Sequence, residues 1–196
     1  MKQPAAGGSR SRFSHVLGFD DAPFDRDHRG DVLVVGAIYA GARLDGVLSC
    51  KVRRDGVNST GALAECVRRS RFYPQLHAVL LQGIALAGFN VVDLRGLHEA
   101  LERPVLVVCR KKPDLAAIRR ALLGHVRGGA HKWKLIERAG PMEPMGGVYV
   151  QRAGLSSTEA RALLQRLSIH SAVPEPLRTA HLIAAGVTLG ESRARA

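Results

Sequence analysis

Three nearly unbroken apolar runs constrain this chain most: DVLVVGAIYA at 31–40, HAVLL at 77–81 and PVLVVC at 104–109. The longest apolar runs are about ten residues, half of what a membrane-crossing helix requires. Rich in β-branched side chains, these runs read as buried strands. Two further segments flank the first run. SHVLGF at 14–19 ends in Asp20-Asp21, and VLSCKVRR at 47–54 follows the turn signal Leu44-Asp45-Gly46. Short connections between these first three segments predict an antiparallel meander.

Beyond residue 58 the period changes. Asn58-Ser59-Thr60 offers capping chemistry for a helix over 61–71, and Leu94, Leu97 and Leu101 share one face of a helix over 92–102. Pro113-Asp114 opens another helix that closes on Gly124, and Ser156 to Glu159 is a capping sequence for a helix that runs to 168. The Gly-, His- and Lys-rich segment 125–147 contains WKLIERAG, which reads as a short strand, and GVYVQR at 147–152 reads as another. Strands that meander and then alternate with helices predict one α/β domain over 14–196, a mixed sheet with helices on both faces, preceded by a flexible basic arm at 1–13.

The net charge of +12 in 196 residues favours a polyanionic partner, nucleic acid first, and the arm has no apolar stretch of the kind a secretory signal carries. Aromatic content of 5% disfavours a stacking platform for single strands. Cys50, Cys66 and Cys109 are scattered without a CxxC pair, which argues against structural zinc and suits small apolar residues in a reducing cytoplasm. Neither a phosphate-loop signature nor a GxSxG nucleophile is present.

Three loops leave strand ends, where α/β proteins place function. In GFDDAPF, 18–24, adjacent carboxylates suit either a turn or a hard divalent cation such as magnesium or manganese. In PEPLRTAH, 174–181, a helix would bring Arg178 and His181 one turn apart, toward a phosphate or a metal-bound water, or simply toward solvent. In LLQGIALAGFNVVD, 80–93, Gln82 ends a strand, and Gly83 and Gly88 permit a close backbone approach to a ligand or to another strand.

Together GFDDAPF, RLDGVL, GIALAGFNVVD, PVLVV and PEPLRTAHLIAAG…GESRAR resemble, in that order, the DUF99 (UPF0215) family of small prokaryotic proteins, also described as endonuclease dU and related to endonuclease V. The resemblance spans about residues 16 to 195. It implies a ribonuclease H-like fold of the endonuclease V type and a magnesium- or manganese-dependent enzyme that nicks DNA near a deaminated base, deoxyuridine in particular, in repair. On this resemblance Asp20 or Asp21 holds the metal, Gln82-Gly83 matches the DG turn that supplies another ligand, His181 lies near the metal and Arg178 is a structural or phosphate contact. Gln82 replaces an acidic ligand, and Asn58-Ser59-Thr60-Gly61 carries no carboxylate where one is expected, with Glu65 one turn further on. Gly83 and Gly88 are the candidate lining for an extruded base. The rival reading is a nucleic-acid-binding protein on the same fold with weakened catalysis.

Overall fold

The computed structural model describes residues 13–193. Seven strands form one mixed sheet in the order β3-β2-β1-β4-β7-β9-β8. β1 (His15–Asp21), β2 (Asp31–Ala40) and β3 (Arg43–Arg53) form the antiparallel meander. β4 (Ala78–Gln82) and β7 (Val105–Cys109) run parallel to β1, β9 (Val148–Ala153) returns antiparallel to β7, and β8 (Glu143–Met145) pairs antiparallel with β9 at the sheet border. The three parallel strands therefore end at one edge of the sheet and present Asp21, Gln82 and Cys109 there.

The apolar runs are continuous because both faces of the sheet are covered. Leu17, Phe19, Leu81 and Val107 pack under α1 (Ser59–Arg68) and α2 (Leu94–Leu101). Their strand neighbours Val16, Leu80, Leu106 and Val108 pack under α5 (Ser157–Leu167) and the start of α6 (Glu175–Leu189). Each buried Leu or Val on either face contributes roughly 1.5–3 kcal/mol. Local signals fix the helix ends. Asp93 accepts from Gly96 N at the start of α2, Asp114 accepts from Ala117 N at the start of α3 (Leu115–His125), and Ser156 with Glu159 completes a capping box on α5.

Three expectations are corrected. WKLIERAG is helical: it belongs to α4 (Gly129–Arg138) and the residues just after it. Gly128, at φ 71°, turns the chain back after α3, and Gly129 packs so tightly on Leu122 that a side chain would not fit. Ile136 then shares an apolar seam with Leu122 and Val91. Second, the turn between β2 and β3 is at Gly41, φ 66°, rather than at Leu44-Asp45-Gly46. Ile38 pairs with Gly46 and Tyr39 with Leu44, so Asp45 is the extra residue of a bulge, and Gly46 is small because the Phe72 ring lies against it. Third, Phe13 is buried in the α5–α6 core, so the domain takes in a residue expected in the arm. The rest of that arm, residues 1–12, lies outside the described residues, as do 194–196 of the basic tail.

Candidate active site

Strand register builds the site. Phe19 pairs with Leu81 across β1 and β4, so the next residues, Asp20 and Gln82, stand side by side at the strand tips on one face. That face also carries Gly18, whose missing side chain admits the backbone of α6: a methyl there would lie 2.6 Å from the Pro176 carbonyl carbon. The small side chains of Ala37, Ala180 and Ala184 extend this close seam, and Tyr39 and Thr179 share a 2.8 Å hydrogen bond across it. Pro174 and Pro176 stiffen the entry to α6.

With α6 seated in this way, His181 Nδ1 donates to Asp20 Oδ2 at 2.8 Å. Asp20 Oδ1 accepts from Asp21 N at 3.0 Å. Asp20 is buried at 5% exposure, whereas half of the His181 side chain is exposed. Burial pushes the Asp20 carboxyl above its ordinary range, and the hydrogen bond and charge of His181 oppose that push. Gln82 Oε1 is buried and has no hydrogen-bond partner among the described residues. The Gln82 residue lines a cavity of about 660 Å³ together with Pro23, Arg110, Arg178, His181 and Arg193. Arg178 forms an ion pair with Glu175 at 3.1 Å, without hydrogen-bond geometry, and Glu175 also accepts from His170 N.

Asp21 faces the opposite way, as alternation along a strand requires. Its Oδ2 accepts from Ala87 N at 2.9 Å. Ala87 sits in the turn between β5 (Ala85–Leu86) and β6 (Asn90–Val91), with φ 48°, a left-handed conformation costly for alanine. Both of its backbone polar groups are held, because its carbonyl accepts from Asp55 N at 2.9 Å. Burial, and then the nearby Asp20 charge, raise the Asp21 carboxyl from 3.8 to about 6.

The structure thus brings Gln82, Arg178 and His181 to one cavity, with Asp20 behind His181 and bonded to it, and separates the others. Asp21 stitches β1 to the β5–β6 turn. Gly88, φ 83°, packs its backbone against Asp55, where a methyl would meet Oδ1 at 2.5 Å, and Gly83 has only Ala85 O within 4 Å of a notional side chain. Neither glycine is among the residues lining this cavity. Glu65 pairs with Arg69 on the surface of α1, and Asn58 and Ser59 bond to the Asn90 side chain as part of a structural knot. Among the described residues no three His, Cys, Asp or Glu side chains converge as a ligand set. Sequence reasoning missed Arg110, and it assigned no role to Glu175 or Arg193, although both lie in the quoted segments PEPLRTAH and GESRAR.

A mixed sheet ordered in this way, with helices on both faces, is an α/β fold of the ribonuclease H-like, endonuclease V type. The structure of endonuclease V from Ciona intestinalis, solved with DNA containing an inosine, matches at TM-score 0.55 and 12% identity over 88% of this chain and 84% of that one. A protein of unknown function from Archaeoglobus fulgidus matches at TM-score 0.82 and 35% identity over 88% of this chain and 97% of that one. The UPF0215 protein of Deinococcus radiodurans is 60% identical over 181 residues, 92% of each chain. The chain belongs to the Endonuclease dU family, which it matches over residues 12–188.

Proposed function

We propose that this protein is a divalent-metal-dependent DNA endonuclease that nicks near deaminated bases, deoxyuridine foremost, in repair inside the cell. The observation that carries the reading is the Asp20–His181 contact beside Gln82, whose Oε1 is buried without a partner, at a cavity bordered by three arginines. Family membership and an endonuclease V fold support it. The donor set suits magnesium or manganese: one carboxylate and one amide oxygen are hard ligands, and magnesium is commonly held by one or two carboxylates with the remainder of its shell from water and substrate phosphate. Asp20 and Gln82 would hold the ion, which supplies charge neutralisation at the scissile phosphate and a more acidic water.

The chain's own groups supply the rest. Asp20 fixes the His181 ring through Nδ1, so that Nε2 is the nitrogen that exchanges a proton with an attacking water or a departing oxygen. Arg110, Arg178 and Arg193 place positive charge around a phosphate in the cavity. Glu175 lies against the Arg178 guanidinium and offsets part of its charge.

The test is nicking of duplexes containing a single deoxyuridine or deoxyinosine, with magnesium or manganese, by the wild type and by Asp20→Asn and His181→Ala. Strand scission that requires a metal and falls at least about 100-fold in both variants is expected. A second reading, a nucleic-acid-binding protein with weakened catalysis, draws on the neutral Gln82 at a ligand position. Tight binding of the same duplexes with no nick under either metal would establish it and sink the first.

A further inference from the structure

The positive charge of the chain is concentrated in one place. Residues 110–138 carry nine Lys and Arg against two carboxylates, Asp114 and Glu137, an excess of seven within a chain whose total is +12. Eight of the nine basic side chains are exposed; the ninth, Lys132, is buried and donates to the Asp55 carbonyl at 2.5 Å. These residues form the segment that leaves β7, then α3, then α4. The two helices pack on each other and hold to β6 through Leu122, Ile136 and Val91. The apolar side of the pair is thus spent on the fold, and its outer side is cationic.

Its position matters as much as its charge. Arg110 is the first residue past β7, at the sheet edge where Asp20 and Gln82 lie, and it lines the same cavity. Lys111 and Lys112 follow directly and lead into α3, so the basic surface begins at the cavity rim and runs outward. Eleven residues of α3 span about 16 Å, a length over which duplex DNA presents roughly ten phosphate charges. A solvated helix face usually intersperses acidic partners, as Glu65 serves Arg69 on α1. Here Arg138 reaches Asp93 and Arg119 lies over the Trp133 ring, but the surface as a whole remains strongly cationic.

We propose that Arg110–Lys112 and the outer side of the α3–α4 pair grip the phosphate backbone of duplex DNA and lead it into the cavity. The inference rests on the nuclease reading for its direction, but its test does not use cleavage. An anionic membrane is the weaker occupant, because only Leu115 and Leu123 are exposed large apolar side chains on this pair.

The experiment is fluorescence anisotropy of an unmodified duplex with the full chain in EDTA, across a salt series. It compares wild type with Lys112→Gln/Arg120→Gln and with Arg71→Gln/Arg161→Gln, two exposed arginines at the far edge, where β4 begins and β9 ends. The first pair is expected to weaken binding on the order of 10- to 100-fold at 0.1 M salt and to reduce the salt slope by about 1.8, while the second pair leaves both unchanged. Lys112→Arg/Arg120→Lys keeps the charges and is expected to bind as wild type. Equal losses from the two Gln pairs, no loss from the first, no duplex binding by wild type, or wild-type binding to phosphatidylserine vesicles in preference to duplex would each overturn the proposal. Because no lesion and no metal are present, a wild type that never nicks leaves this result standing, and a failed grip leaves the nicking assay unaffected.

Discussion

Replacing Gly18 with alanine tests whether the close approach of α6 to β1 sets the Asp20–His181 contact. A methyl at this position would lie 2.6 Å from the Pro176 carbonyl carbon, 2.7 Å from Leu177 N and 2.8 Å from Pro176 Cβ. Carbon contacts settle near 3.5–4.0 Å, so strand and helix would have to part by about 1 Å. Two of the three obstructing atoms are backbone, and no rotamer change relieves them. Overpacking of this kind costs about 1–3 kcal/mol. Position 18 is outside the left-handed region, so alanine regains roughly 0.4–1 kcal/mol by restricting the unfolded chain. The net loss is about 1–2 kcal/mol, or about 2–8 °C in Tm for a chain of this size. His181 rides on the displaced helix, and a misplacement of about 1 Å in a reacting group is worth on the order of 100-fold in rate. Urea unfolding reads the stability, ring ¹⁵N shifts of His181 read its bond to Asp20, and nicking of a deoxyuridine duplex reads the rate. Gly61→Ala, on the exposed side of α1 with nothing within 4 Å, is the matched control and should stabilise by about 0.5–1 kcal/mol. If Gly18→Ala is as stable as wild type and the His181 resonances do not move, the glycine does not seat α6 and this account of site assembly fails.

Three other outcomes are expected. Asp21→Asn keeps an acceptor for Ala87 N but removes a buried charge. In the wild type a carboxyl raised from 3.8 to about 6 binds its proton more tightly folded than unfolded, so its burden on stability is absent near pH 4, grows as pH rises and is complete above about 6. In EDTA the variant should therefore gain up to about 3 kcal/mol over wild type at pH 8 and almost nothing at pH 4 in urea titrations, and parallel pH profiles would refute this. Gln82→Asp should tighten manganese binding, measured by calorimetry at pH 7.5, by roughly 10-fold or more, because it adds a charged ligand beside Asp20. Lys132→Met should cost about 1–3 kcal/mol by leaving the Asp55 carbonyl buried without its donor, read as a lower urea midpoint at unchanged slope.

Much of the architecture was legible because the signals were local. Apolar runs marked the strands, Asp114 and the Ser156–Glu159 pair marked helix starts, the Leu94, Leu97 and Leu101 face marked another helix, and the order of segments gave the mixed sheet. WKLIERAG misled because Lys132 occupies a buried position with its amine satisfied by a distant carbonyl, which breaks the apolar pattern that a helix normally shows. The Asp45 bulge was hidden because it depends on where the Phe72 ring comes to rest. In the site, Asp20, Gln82 and His181 could be nominated from motifs. Which of the two aspartates faced them could not, because that depends on the pairing of β1 with β4 and on the helix lying over Gly18. Arg110 had no signal beyond the general excess of positive charge, and Arg193, although inside the quoted GESRAR segment, had nothing to mark it as a cavity residue.

The pleat gives Asp20 and Asp21 separate destinies. Two consecutive, chemically identical side chains emerge on opposite sides of the sheet, one bonded to the His181 ring and the other bracing a strained hairpin. Their roles follow from position rather than kind. Inserting a single residue upstream in β1 would slide Asp20 into the slot of Asp21 and Phe19 into the slot of Asp20, so the helix at the sheet edge would meet a phenyl ring where it now meets a carboxylate.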